Sequence, residues 1–388
     1  MTREEAIGLR LHNQLLFGSQ CEKPEEIVEW MGMMQAQDYN YFRWAIGMRM
    51  REPKIEAVKE SFSSGKILRL HLLRCTVQAV SAQDYPWMMQ LCRERNLNTI
   101  KSWSSYNQTN FSEQYYQEGT EALKGILAHN LSLTKKGIGV EMGKLGLPSD
   151  TAHLNQILLR GEMEGLVCSG EMKGKDATWA LVSERLKALE TENDAMQKET
   201  EALALLARKY FRSHFPASFE DFCWWTGLPI SQNRKAIEQI ASELEEVLVE
   251  DSLSNGNKQT MFVYKDLTSK RQECVKAALK NESLEQLSPS GATGGTSVIL
   301  LPPYDEYLIG YKSRWISLDK KHEAKAHNRF GIFKSVILYE GKVVGNWKAS
   351  LDQGAKNIET DIFTKKRKIG VRRVQQAEKH LRDFTISQ

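Results

Sequence analysis

The sequence predicts an α+β chain in which tandem winged-helix (helix-turn-helix) units precede a C-terminal β-barrel-like domain. Three observations carry that expectation. The triplet Gly146-Leu147-Pro148 recurs as Gly227-Leu228-Pro229, 81 positions later. Each copy lies between helical stretches and leads into two short β-prone runs. Beyond Gly291 the helical periodicity gives way to β-branched and aromatic runs.

Taken in order, residues 24–37 predict a helix. Ile27, Val28, Trp30, Met31 and Met34 form one apolar face, and Pro24 suits its first turn. Gln35 and Gln37 then fall at or beyond its end. A helix at 53–63 and strands at 67–73 and 75–80 make a looser early copy, and Ser81 to Asp84 caps the next helix. Residues 108–117 read as an exposed polar connection.

In the first clear copy Thr134 caps a helix through Leu145. A second helix at 151–164 and strands at 166–168 and 177–182 follow, joined by the polar turn 170–175. Residues 186–206 read as a charged joining helix. In the second copy Ser218-Phe219-Glu220-Asp221 is a capping box; a helix at 231–246 and strands at 247–249 and 261–264 follow, with the turn at 254–258. Each first helix ends at glycine before a proline that cannot continue it. Strands at 298–301, 333–338 and 342–347 follow, the last after a Glu340-Gly341 turn. The implied division is residues 1–130, 131–200 and 201–290 for three winged-helix units and 291–388 for a basic, barrel-like domain.

Composition narrows the function classes. At 388 residues, with mean hydropathy -0.47, the chain predicts several compact units, no membrane span and residence in the cytoplasm. The six cysteines are widely spaced, without metal-ligand or disulfide-framework spacing, so neither a zinc site nor a disulfide framework is expected. Charge is unevenly placed. Residues 312–388 carry 18 Lys and Arg against 8 Asp and Glu, a surplus of +10 in a chain of net +4, leaving −6 for residues 1–311. The densest run is Lys365-Lys366-Arg367-Lys368. Such a surplus suits a polyanion, although a charge run also serves as a solvated face.

A helix-turn-helix is a shape for lying against a duplex, and it serves protein contacts as well. The second helix of the later copy carries Arg234 and Lys235 against Glu238, Glu243, Glu245 and Glu246, which disfavours base reading by that helix. Gln35 and Gln37 admit two readings. They are a hydrogen-bonding helix end or surface polarity, or they are a pair of amides that holds water or a sugar.

Resemblance to a known family weighs on that choice. The segments Arg10-Leu11-His12-Asn13-Gln14, Gln35-Ala36-Gln37-Asp38, Phe219-Glu220-Asp221-Phe222-Cys223-Trp224-Trp225-Thr226-Gly227-Leu228, Leu300-Leu301-Pro302-Pro303-Tyr304-Asp305-Glu306-Tyr307 and Gly341-Lys342-Val343-Val344-Gly345-Asn346-Trp347 run in order over nearly the whole chain. Together they resemble the winged-helix DNA glycosylases of the AlkZ and YcaQ type, which act on alkylated and crosslinked DNA. The resemblance implies tandem winged helices around a β-barrel, bacterial origin, and a catalytic Gln-x-Gln or Gln-x-Asp pair, here Gln35 and Gln37 in the AlkZ-like form. One departure lies in Arg74-Cys75-Thr76-Val77-Gln78, where relatives commonly carry glycine after the arginine and histidine at the end.

Amide chemistry then constrains the substrate. An ordinary purine leaves only when protonated, and glutamine cannot supply a proton. A purine alkylated at N7 or N3 is already cationic and leaves neutral, through an oxocarbenium-like transition state. What remains is to position water and to place dipoles around developing positive charge, a hydrolysis that needs no metal or cofactor. A fixed dipole of this kind contributes about 2.7 to 4 kcal/mol where oxyanion-hole magnitudes transfer.

Expected roles follow. Gln35 and Gln37 are catalytic; Asp38 supplies nearby negative charge or, alternatively, caps a turn. Arg69 and Arg74 contact phosphate or are ordinary surface arginines. Tyr304, Asp305, Glu306 and Tyr307 belong to a DNA-facing strand end or pack a barrel mouth. His327 and Arg329 read or wedge a groove, or form a surface turn. The expected partner is double-stranded DNA carrying alkylated purines, with no membrane, engaged by a monomer. A bulky crosslinked base need not be fully extruded. The rival readings are a non-catalytic winged-helix regulator and a protein-interaction scaffold.

Overall fold

A computed structural model describes residues 1–106, 111–129, 132–173, 176–187, 198–250, 258–267, 298–363 and 369–386. Two compact units are formed, Met1–Lys59 with Leu203–Gln388, and Glu60–Ala202.

The first unit begins with α1 (Arg3–Asn13), whose Thr2 and Glu5 complete a capping box. Its buried polar residues are structural. The Arg10 guanidinium donates twice to the Pro216 carbonyl, at 3.0 and 2.8 Å, and lies over the Tyr311 ring. Asn13 donates to the Phe215 carbonyl, and Gln14 to the Tyr311 hydroxyl. The segment 10–14 therefore sews α1 to the chain near residue 215, satisfying groups whose burial would otherwise be costly.

Next come α2 (Pro24–Met31), the short extended β1 (Met34–Gln35) and α3 (Tyr39–Gly47). The expected helix over 24–37 is thus corrected: it stops at Gly32, which takes φ +81° and ends the helical ladder. A Cβ there would also come within 2.9 Å of Lys209. On α3, Gly47 lets the Phe384 ring approach to where a Cβ would lie 2.4 Å away.

The chain passes through α4 (Ile55–Ser63) into the second unit. There β2 (Ile67–His71) and β3 (Val77–Ser81) form an antiparallel hairpin in which Ile67 faces Ser81 and His71 faces Val77. Two long helices follow, α5 (Tyr85–Tyr106) and α6 (Glu113–Ala128). α6 takes over the end of the expected polar connection, whose residues 108–110 lie outside the described ones. β4 (Leu133–Thr134), α7 (Lys135–Lys144), α8 (Thr151–Glu164), β5 (Val167–Ser169) and β6 (Thr178–Leu181) realise the first repeat copy, with Thr134 capping α7 as its sequence predicts. Leu123, Ile138, Met142, Leu154, Ile157, Val167 and Leu181 fill the core between these helices and strands. The strands pair antiparallel in the order β4-β6-β5.

α9 (Val182–Lys187) closes this part of the chain, and α10 (Glu199–His214) runs back into the first unit. They occupy the ends of the expected joining helix; residues 188–197 lie outside the described ones. The second copy follows as α11 (Phe219–Thr226), α12 (Ile230–Gln239), β7 (Leu244–Glu250) and β8 (Lys258–Tyr264). Ser218 and Asp221 form the expected capping box, and Gly227 ends α11 at φ +61°. The turn is locked by Asn233, which accepts from the Thr226 hydroxyl at 2.8 Å and donates to the Leu228 carbonyl at 2.9 Å. α12 is shorter than the expected 231–246, because Leu244 to Glu250 pairs with β8 throughout.

Beyond residue 297, β9 (Val298–Leu301), α13 (Glu306–Ile309), α14 (Glu323–Ala326), β10 (Val336–Tyr339), β11 (Lys342–Lys348), β12 (Glu359–Ile362) and α15 (Val371–Ile386) complete the first unit. The sheet is antiparallel in the order β12-β11-β10-β9, and among the described residues it is open, with β9 and β12 at its edges. The C-terminal helix was not expected from the strand-rich pattern. Its Ala377, Leu381 and Phe384 are buried among charged neighbours, and Phe384 packs 5.4 Å from Trp44.

Candidate functional site

The Gln-x-Gln segment is a link of extended chain between β1 and α3. Two of its hydrogen bonds run through side-chain oxygens. The Gln35 backbone N–H donates to Glu306 Oε1 at 2.9 Å, and the Gln37 N–H donates to Gln35 Oε1 at 2.8 Å. The second bond folds the Gln35 amide over its own chain and leaves Gln37 exposed. An amide oxygen has two lone pairs, and this bond uses one.

Asp38 ends the link as the N-cap of α3, accepting from the N–H groups of Asn40 at 3.0 Å and Tyr41 at 3.2 Å. The capping alternative therefore describes its local role, and the cap sets where α3 begins relative to Gln37.

Around the segment lies a recess of about 280 Å³, part of it open to solvent. Met34, Gln35, Asp38, Tyr41, Phe42 and Ala45 line one side, and Pro303 to Glu306 line the other. Tyr41 donates its hydroxyl to the Ala349 carbonyl at 2.9 Å. Burial, with Asp38 adding to it, raises its pKa, so the phenol stays neutral. Carboxylates and the tyrosine side chains of Tyr41 and Tyr304 thus line a space beside the Gln35 amide.

Asp305 plays a different part from the one its sequence position suggests. It is buried, at 4% exposure, and each oxygen accepts from the Arg49 guanidinium at 2.8 Å. Arg49 also donates to the Gln14 and Ala45 carbonyls, and Asp305 caps α13 through the Tyr307 N–H. A carboxylate so engaged is a strut, in keeping with the packing alternative rather than the DNA-facing one. Tyr304 lines the recess at φ +59° and lies 6.2 Å from Phe333.

His327 stacks on the same Phe333 at 5.1 Å, so the structure brings together Tyr304 and His327, which are far apart in sequence. Burial and the neighbouring Arg314 lower the His327 pKa. Residues 328–332 turn tightly as Asn328 Oδ1 accepts from the N–H groups of Phe330 and Ile332. Arg329, Phe330 and Ile332 are exposed on this turn. Arg69 and Arg74 belong to the other unit. Arg69 is half-buried on β2, its N–H donating to Ser169 Oγ at 2.9 Å, and Arg74 sits at φ +59° in the turn between β2 and β3. The basic run 365–368 lies outside the described residues.

Sequence reasoning missed Arg49 and Tyr41, and missed that Glu306, expected at a DNA-facing strand end, holds the Gln35 backbone. A signal existed for two of them. Asp305 and Glu306 interrupt an otherwise apolar run, and Arg49 sits between two methionines, so each was a charge in a buried setting in need of a partner.

The recess thus sets Gln35 among carboxylates and tyrosine side chains, in a unit that also carries the second helix-turn-helix-hairpin copy. The fold is that of a solved structure, "Streptomyces sahachiroi DNA glycosylase AlkZ", with TM-score 0.72 over 99% of this chain and 97% of that one at 18% identity. The curated proteins hold no sequence match. The family is nevertheless plain: the chain belongs to the AlkZ-like DNA glycosylases, whose sequence model, "DNA glycosylase AlkZ-like", matches residues 28–383. It is a DNA glycosylase, an enzyme of DNA repair, and the non-catalytic readings are set aside. No helix among the described residues is long and apolar enough to cross a membrane.

Proposed function

We propose that this glycosylase hydrolyses the N-glycosidic bond of cationic N7- and N3-alkylpurines in double-stranded DNA, acting as a cytoplasmic monomer and unhooking bulky adducts or interstrand crosslinks. In this reading the two helix-turn-helix-hairpin segments serve as winged helices and the open sheet as the remnant wall of a barrel-like domain, with Arg69, Arg74, His327 and Arg329 supplying contacts to DNA. The observation that carries the substrate is the chemistry of Gln35 and Gln37. Neither amide can donate a proton to a leaving base, so the base must leave without one.

The lone pair of Gln35 Oε1 not used by the Gln37 N–H holds the attacking water, and the exposed Gln37 amide contacts the deoxyribose. The C1′–N bond breaks with its electron pair going to the cationic purine, which departs neutral. Water then adds to C1′ and loses a proton to solvent, leaving an abasic site. Asp38 and the tyrosine faces of the recess stabilise the oxocarbenium charge as it develops.

Base release from duplex DNA containing N7-methylguanine, measured under single turnover, tests this. Replacing Gln35 or Gln37 by Ala is expected to slow release by about 10²- to 10³-fold. Gln37→Ala should do so with a melting temperature little changed, since Gln37 is exposed. A wild-type enzyme inert on every cationic substrate would overturn the substrate class. Two fully active variants would overturn the site assignment.

A further inference from the structure

We propose that Glu306 is a positioning residue for base excision, the group that sets the Gln-x-Gln segment in place. The inference rests on the catalytic reading of Gln35 and Gln37 given above. Glu306 is 2% exposed, and both of its oxygens are engaged by donors from different parts of the unit. Oε1 accepts the Gln35 backbone N–H at 2.9 Å; Oε2 accepts the indole N–H of the fully buried Trp225 on α11 at 3.1 Å. His214 Nε2 lies 3.7 Å from Oε2.

These contacts form a relay. Glu306 fixes the backbone of Gln35, and Gln35 fixes the backbone of Gln37 through its own amide oxygen. The neighbouring Asp305 holds Arg49, two residues beyond α3. Adjacent carboxylates at the start of one short helix therefore hold the link 35–38 from both ends: Glu306 directly at its start, Asp305 through α3 behind it. A group that reaches substrate from a stretch of extended chain needs such anchoring, because a misplacement of about 1 Å can cost on the order of 10²-fold in rate.

The chemistry also explains why the anchor is a carboxylate. It receives two N–H donors on two oxygens. A glutamine would offer one oxygen and one NH₂, and the NH₂ would face either Gln35 or Trp225, donor against donor. That mismatch makes the role testable by a rescue that a merely structural residue would not give.

The test uses the full chain and N7-methylguanine duplex, reading single-turnover base release and duplex Kd separately. Glu306→Gln is expected to slow release by about 10- to 100-fold with Kd within about threefold of wild type. Adding Trp225→Phe removes the competing donor, lets the amide oxygen turn to the Gln35 N–H, and should restore release at least about fivefold over Glu306→Gln alone. If the single variant does not fold, the double variant is compared with wild type, and release within about thirtyfold supports the role.

The proposal is overturned by a Glu306→Gln rate less than about fivefold below wild type, by a loss of rate matched by loss of affinity, or by a double variant that gives no rescue. It is equally overturned if both variants fail to fold, or if the double variant measured alone is slower than that bound. A normal Glu306→Gln beside a slowed Gln35→Ala sinks this inference alone; an inert wild type sinks the substrate reading with it.

Discussion

At the scale of single residues, the site uses few ionisable groups exposed to water and several buried ones. His214 is the plainest case. It is fully buried, stacked on Tyr210, with Nδ1 2.8 Å from Ser213 Oγ, and burial lowers its pKa below the ordinary imidazole value. The folded state therefore binds fewer protons than the unfolded state at mildly acidic pH. The associated stability is present above the unfolded value and is lost as pH falls through that value toward the folded one. Melting temperature should drop between about pH 7 and pH 5, and a His214→Gln variant should show a shallower drop over the same range. An identical slope in the two proteins would assign the acid sensitivity to other groups. Gln35 and Gln37 contribute nothing to such a profile, since amides do not titrate.

Among elements, the site depends on how α3 and α13 are clamped. Arg49 and Asp305 are both essentially inaccessible, and the guanidinium is further satisfied by the Gln14 and Ala45 carbonyls. Breaking a buried pair of this kind leaves an uncompensated charge. Arg49→Met is expected to cost about 3 to 5 kcal/mol, read from urea unfolding midpoints. Replacing both partners, as Arg49→Met with Asp305→Leu, should recover part of that loss, because no charge then remains buried. If the double replacement proves as unstable as the single one, the pair acts through packing rather than charge. Either variant should also slow base release, since α3 follows the glutamines directly.

On the scale of the whole molecule, charge distribution governs how the enzyme meets its substrate. Residues 312–388 carry +10 and residues 1–311 carry −6, so attraction to a polyanion is concentrated in the last fifth of the chain. Duplex affinity should fall steeply and linearly with salt on logarithmic axes. Arg329, exposed on the turn that presents Phe330 and Ile332, is expected to meet a phosphate. Arg329→Ala should then lower the slope by about 0.9, with little effect on the rate of the bound complex. An unchanged slope would remove Arg329 from the DNA interface.

The sequence by itself determined the repeat, its caps and its turns. Thr134, Ser218, Asp221, Gly227 and the two Gly-Leu-Pro triplets act through hydrogen bonds and backbone angles a few residues apart, so their meaning is local. It also carried the family, through ordered segments along nearly the whole chain, and the Gln-x-Gln pair itself. Only the tertiary structure decided what holds that pair. The end of α2 at Gly32 was obscured by an apolar spacing that continues to Met34, and the helix α15 by a sparse apolar face among charges. The contacts of Gln35 with Glu306, and of Arg49 with Asp305, join residues more than 250 positions apart. Local periodicity cannot report such pairs, because the free energy that selects them, the cost of an unpartnered buried charge, exists only once the chain has folded around them.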